Sequence, residues 1–206
     1  MFYRKFLVLT ILILIVVLSF SQEKKAEIIN SYYSAQIDSL AIVDQEIRSD
    51  KYSRLFKEYF KYKNDSTLNK EDLIYKKSKI FMDRWTAVDS SNIYYLLNLI
   101  KNFGFPSESK VGFESHDNAC VLFLHFDSDT LNKTLQPILD SALKQKEISP
   151  GFYSWIIDRH RTNFGAKPIY YENFNGCENY KSLAEEKKRT VSENRKKIGL
   201  KPIACD

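Results

Sequence analysis

Residues 115–126 read Ser-His-Asp-Asn-Ala-Cys-Val-Leu-Phe-Leu-His-Phe, and this stretch decides the fold. Ala119, Leu122, Phe123 and Phe126 recur at helical spacing on one face, while Val121 and Leu124 fall on the others. A helix that is apolar nearly all round belongs inside a layer of other helices rather than against one of them. The pattern therefore predicts a mainly α, multi-helix single domain with this segment at its centre.

The flanking sequence supplies the surrounding helices. Upstream, residues 27–60 carry Ile37, Leu40, Ala41 and Ile47 at helical spacing, as one helix or two, before a polar break at Asn64-Asp65-Ser66-Thr67. A helix is expected over residues 71–85. Another is expected from an Asp89 N-cap to Gly104, with Val88 and Ile93 as a hydrophobic staple and Pro106 beyond the end. Downstream, Asp129 is placed to cap a helix reaching about residue 146, which Pro137 should kink by removing a backbone donor. Ser149-Pro150 is an N-cap followed by proline at the first helical position, opening a helix that ends before Gly165. Asn175-Gly176 suits a type I′ turn, so a small β-hairpin is predicted near residues 168–180. A charged helix over 181–197, with Gly199 past its end, completes the domain.

The N-terminus carries an address. Arg4 and Lys5 precede an unbroken apolar run from Phe6 to Phe20, which ends at Ser21-Gln22-Glu23 with small residues at 19 and 21. About 15 apolar residues fall short of the roughly 20 that span a bilayer, so residues 1–21 read as a signal peptide and 22–206 as the mature domain, periplasmic or extracellular. An uncleaved N-terminal anchor is the alternative, and with it the only expected membrane contact. The formal charge is +5, but its excess sits in the basic segment after residue 181, and the rest of the mature chain is slightly acidic. A nucleic-acid binder would carry a basic stripe across the fold, so that class is excluded. Cys120 lies in the apolar stretch as a free thiol, leaving Cys177 and Cys205 as the only pair open to a disulfide. No Cys-x-x-Cys, Cys/His cluster or nucleophile elbow is present, so no metal, cofactor or catalytic residue is assigned.

A few polar residues stand where the period calls for apolar ones. With Ile37 at zero and about 100° per residue, Asp44 falls near 340° and Arg48 near 20°, inside the stripe. Counted from Phe152, Arg159 falls near 340°, also between apolar neighbours at about 300° and 40°. Isolated charges there are costly, so Asp44, Arg48 and Arg159 are expected to meet in one cluster at a helix junction. A buried ion network that fixes helix register and a pocket whose two arginines receive a carboxylate or phosphate both satisfy the pattern. His125 flanks the central helix with Asp127 nearby, which admits a general base as well as a structural histidine. His116, nine residues earlier, faces the other way, and His160 is expected at the surface.

Asp44-Gln45-x-x-Arg48, Asn92, Gly104-Phe105-Pro106, Val111-Gly112, His125-x-Asp127, Asp158-Arg159 and Arg195-Lys-Lys-Ile-Gly-Leu-Lys-Pro202 together resemble an uncharacterised bacterial family of helical domains, frequent in exported proteins. The resemblance runs in order over about residues 38–203. It implies that Asp44, Gln45, Arg48, Asn92, His125, Asp127, Asp158 and Arg159 form a shared polar set, and it implies no activity. Where that family has glutamine-x-tyrosine-glycine, this chain has Pro168-Ile169-Tyr170-Tyr171. Three functional classes fit: an exported domain binding a partner or small anionic ligand through the polar set, an extracytoplasmic hydrolase of cell-wall or peptide substrate, and a structural envelope protein.

Overall fold

The computed structural model describes residues 2–125, 131–172 and 176–204, and among these the side chains from residue 21 onward except 131, 132 and 176. Its elements are α1 (Phe2–Ile47), α2 (Asp50–Asn64), α3 (Leu73–Phe103), α4 (Glu108–Val111), α5 (Phe113–Phe123), a π-helical turn (Leu131–Leu135), α6 (Gln136–Lys144), α7 (Pro150–Asn163), α8 (Gly176–Lys181) and α9 (Glu185–Lys197). Among the described residues no helix is long and apolar enough to cross a membrane.

The central position of α5 follows from its composition. It packs on α1, α3 and α7, and Ala119, Cys120, Leu122 and Phe123 are buried among Tyr33 and Ile37 of α1, Leu96 and Ile100 of α3, Leu139 and Ala142 of α6, and Ile156 of α7. Each fully buried Leu, Ile or Phe in such a core contributes about 1.5–3 kcal/mol. On α1 the buried positions run Tyr33, Ile37, Ala41, Asp44 and Ile47, spaced by three and four, so a carboxylate sits within an otherwise apolar stripe.

Two helices were expected across residues 71–104, and one 31-residue helix stands there. Nothing between Trp85 and Asp89 interrupts a helix, and the Asp89 carboxylate bonds to Arg48, just past the end of α1, rather than to a backbone N–H of its own helix. The predicted end is correct: Gly104 has φ +78 and donates its N–H to Ile100 O at 2.8 Å, and a Cβ there would meet Lys110 Nζ at 3.0 Å. Helix α2 folds back along the first half of α3 as an aromatic hairpin. Tyr52 stacks on Phe81 at 5.2 Å, Phe56 meets Trp85 at 5.1 Å, and Tyr62 Oη donates to Asp72 at 2.7 Å.

The Pro137 expectation takes a specific form. The ring lies in the first turn of α6, and the turn before it, Leu131–Leu135, is π-helical, because proline offers no N–H to the carbonyl four residues back. The Asp129 cap lies outside the described residues. Ser149 caps α7 as predicted, with Oγ accepting the Phe152 N–H at 3.1 Å.

The β-hairpin near 168–180 is absent: the described residues contain no strand, and Gly176 opens α8. The backbone groups a ladder would use are taken by side chains. Asp158 accepts N–H bonds from Ile169, Tyr170 and Glu172 at 2.7, 3.1 and 3.1 Å. Arg195 of α9 donates to Tyr170 O at 2.7 Å, to Glu172 at 2.6 Å and to Lys201 O at 2.7 Å. Tyr171, at φ 57, turns the loop around the carboxylate. Cys120 is a free buried thiol and Cys177 is disulfide-bonded; Cys205 lies outside the described residues.

Candidate functional site

Asp44, Arg48 and His125 meet where the end of α1 crosses the middle of α3 and the end of α5. Asp44, with its side chain 1% exposed, accepts from Arg48 Nη1 at 2.6 Å and shares the same Oδ1 with His125 Nδ1 at 2.9 Å. Gln45 Nε2 donates to the other oxygen at 2.9 Å. The second terminal nitrogen of Arg48 donates to Asp89 at 2.6 Å, and the guanidinium lies 4.7 Å from the centre of the Trp85 ring. Asn92, one turn further along α3, donates to Leu40 O at 3.4 Å. Three helices are thus tied by one arginine, two aspartates and one histidine.

The electrostatics follow from partial burial. Desolvation pushes the Asp89 carboxyl above its ordinary range, and the adjoining Arg48 guanidinium opposes that shift. Arg48 presents each terminal nitrogen to a carboxylate, so both ends of its fork are engaged within the protein. This leaves the cluster poorly suited to clamp a further anion. The His125 ring is oriented by Asp44 through Nδ1, and its side chain is 22% exposed.

The remaining members of the predicted polar set do not join this cluster. Arg159 is exposed on α7, so the expected meeting with Asp44 and Arg48 does not occur. Its neighbour His160, expected at the surface, is 1% exposed and holds Phe123 O at 2.7 Å through Nε2. Both corrections share a cause. The apolar face of α7 runs through Tyr153, Ile156, Ile157 and His160 rather than through Phe152 and Trp155, which are only partly buried. Asp158 is fully buried in the loop nest already described, and burial pushes its carboxyl up against the pull of the surrounding N–H groups. Asp127 lies outside the described residues. His116 is buried with Nδ1 2.8 Å from Pro106 O.

Sequence reasoning missed Asp89 and Trp85. Their signal was present: Trp85, Asp89, Asn92, Leu96 and Leu99 are spaced by four and three, which places Asp89 on the inner face of one continuous helix. The capping pattern at 88–93 competed with it. Among the described residues, no group of three or more His, Cys, Asp or Glu side chains is placed to hold a metal ion.

A second feature is concave. An open groove of about 1280 Å³ runs between the α4–α5 corner, the α6–α7 turn and the end of α9. Its lining mixes Phe113, Ile148, Phe152 and Ile198 with Lys144, Lys146, Lys197, Glu108, Asp140 and Glu147. Phe113 is 63% exposed there, and Phe152 packs edge-on against His116 at 5.9 Å. By contrast, a cleft between α1, α2 and α3, lined by Val43, Tyr52, Phe81 and Arg84, holds only about 40 Å³. No family model, curated protein or solved structure matches this chain.

Proposed function

We propose that the chain is an exported helical binding domain, that its partner is an extended polypeptide segment, and that the groove rather than the polar cluster receives it. The observation that carries this reading is the groove itself. At about 1280 Å³ it exceeds the roughly 300–1,000 Å³ of small-molecule sites, and it alternates apolar surface with both signs of charge. A polypeptide offers that mixture, whereas a small anion would use only the three lysines. The Asp44–Arg48–Asp89–His125 cluster then serves as the tie between α1, α3 and α5, since the arginine that would hold an anion already holds two carboxylates. Export rests on residues 1–21 as signal peptide. The resemblance to the uncharacterised exported family belongs to the same proposal, and Tyr171 supports it: it stands where that family has glycine and has φ 57, a backbone region that glycine adopts at least cost.

The test is a thermal-shift panel of mixed-sequence peptides, cell-wall fragments and simple anions, because a ligand of the folded state raises Tm. Peptides raise Tm, and Phe113→Ala abolishes the shift while leaving the unliganded Tm in place. Shifts produced by phosphate or carboxylates, insensitive to Phe113→Ala, contradict the proposal.

One observation favours a second reading, the extracytoplasmic hydrolase. The Asp44–His125 pair, at 2.9 Å, has the carboxylate–imidazole arrangement that orients a general base. That reading requires turnover of a cell-wall or peptide substrate that His125→Asn removes without unfolding the protein.

A further inference from the structure

We propose that the outer face of α1 binds the same face of a second copy of this chain as an antiparallel helix pair. Ile28, Tyr32, Ala35, Ser39, Ile42 and Glu46 lie on one line of α1, spaced alternately by four and three, the repeat of a coiled-coil seam. The opposite side of the helix, through Tyr33, Ile37, Ala41 and Asp44, is buried in the domain. The seam itself faces outward: Ile28 is 62% exposed, Tyr32 52%, Ile42 69% and, beside them, Val43 46%. On an isolated molecule this leaves an apolar strip with helical spacing, and the two charges between Glu27 and Glu46, Asp38 and Asp44, lie off it, Asp44 being buried in the domain. Asp38 is turned inward, accepting from Ser115 at 3.0 Å and Asn118 at 2.9 Å.

The strip is complementary to itself in one orientation. Run antiparallel about a two-fold axis beside residue 37, Tyr32 meets Ile42 of the other copy, Ala35 meets Ser39, and Ile29 meets Val43. Large residues face large ones, and the small pair lies at the crossing, where close helix approach needs it. Ser39 Oγ already donates to Ala35 O at 2.9 Å, so its hydroxyl asks nothing of the facing helix. Glu46 comes opposite Ile28, one turn from Lys24 and Lys25, which are exposed. Charge therefore closes both ends of the seam. In a parallel pair Glu46 would face Glu46, and Ile29 would face Lys24, so the charges select the antiparallel form. Such an interface is isologous and closes at two copies.

The test uses the full chain carrying Ala35→Cys or Ser39→Cys, produced separately and together in the same cells, then oxidised in situ. Antiparallel pairing sets position 35 against position 39, so a covalent dimer forms when the two variants are produced together and with neither alone. Self-linking of either variant reports a parallel pair and overturns the proposal, as does the absence of covalent dimer in every combination. Ile42→Asp, at an exposed position outside the core, lowers the association constant measured by sedimentation at least tenfold without changing helix content. A dimer indifferent to that substitution uses another surface and refutes the assignment.

Discussion

Replacing Arg48 by methionine keeps an aliphatic side chain beside Trp85 but removes the guanidinium that joins Asp44 to Asp89. Two charge-assisted bonds are lost, each of 2.6 Å, and such bonds contribute about 1.5–3 kcal/mol apiece. Not all of that appears as lost stability. Asp89 has a side chain 18% exposed and regains some water, while Asp44 keeps Gln45 and His125 as donors. Against this, Asp44 is 1% exposed and cannot be rehydrated without opening the α1–α3 junction. Removing one partner of a buried pair costs about 3–5 kcal/mol, so partial screening brings the expected loss to about 2–4 kcal/mol. Arg48→Lys supplies one point charge to two acceptors and should recover no more than about half of that. Urea unfolding of the three proteins, followed by far-UV circular dichroism, measures the differences through the midpoint at constant m. A loss under about 1 kcal/mol for Arg48→Met would refute the reasoning, because the cluster would then be open to water and free to serve a ligand.

Asp158→Ala strips the acceptor from three backbone N–H groups and should cost about 3–5 kcal/mol in the same assay, with early proteolysis at residues 166–172. Because burial raises the Asp158 carboxyl, the folded chain holds that proton more tightly than the unfolded one. Its contribution is full at acid pH and falls as pH rises, so the stability gap between wild type and Asp158→Asn narrows as pH rises through and above the ordinary carboxylate range; a widening gap contradicts the direction. Lys146 is exposed at φ 60 in the turn after α6, so Lys146→Gly should raise stability by about 0.5–1 kcal/mol in thermal unfolding. Ser149→Ala removes the cap of α7 and should lower stability by about 1 kcal/mol, a loss that Ser149→Asp restores.

The helices that pack on apolar faces were legible because one period governs them. The stretch 115–123 announced a central helix, Gly104 and Ser149 marked their ends through backbone rules, and Asp44 stood out as a charge inside an apolar stripe. What failed were inferences in which a local signal competed with a tertiary one. Asp89 looks like a cap in sequence, yet it belongs to Arg48, forty-one residues away. Asn175-Gly176 looks like a hairpin turn, yet the residues before it spend their N–H groups on Asp158. On α7 the choice of Phe152 as the centre of the buried face moved every position by a fraction of a turn, enough to exchange Arg159 with His160. The groove had no sequence signal, since it is assembled from the ends of five segments whose side chains are ordinary surface residues.

The measurement that bears most directly on the polar cluster as the tie between helices is a double-mutant cycle of Arg48→Met and Asp89→Leu, read by equilibrium unfolding. If the cluster joins α1 to α3, the two losses are not additive and the coupling is about 1.5 kcal/mol or more. Losses that add to within about 0.5 kcal/mol would mean that the two side chains touch without holding the helices together, and would contradict the account.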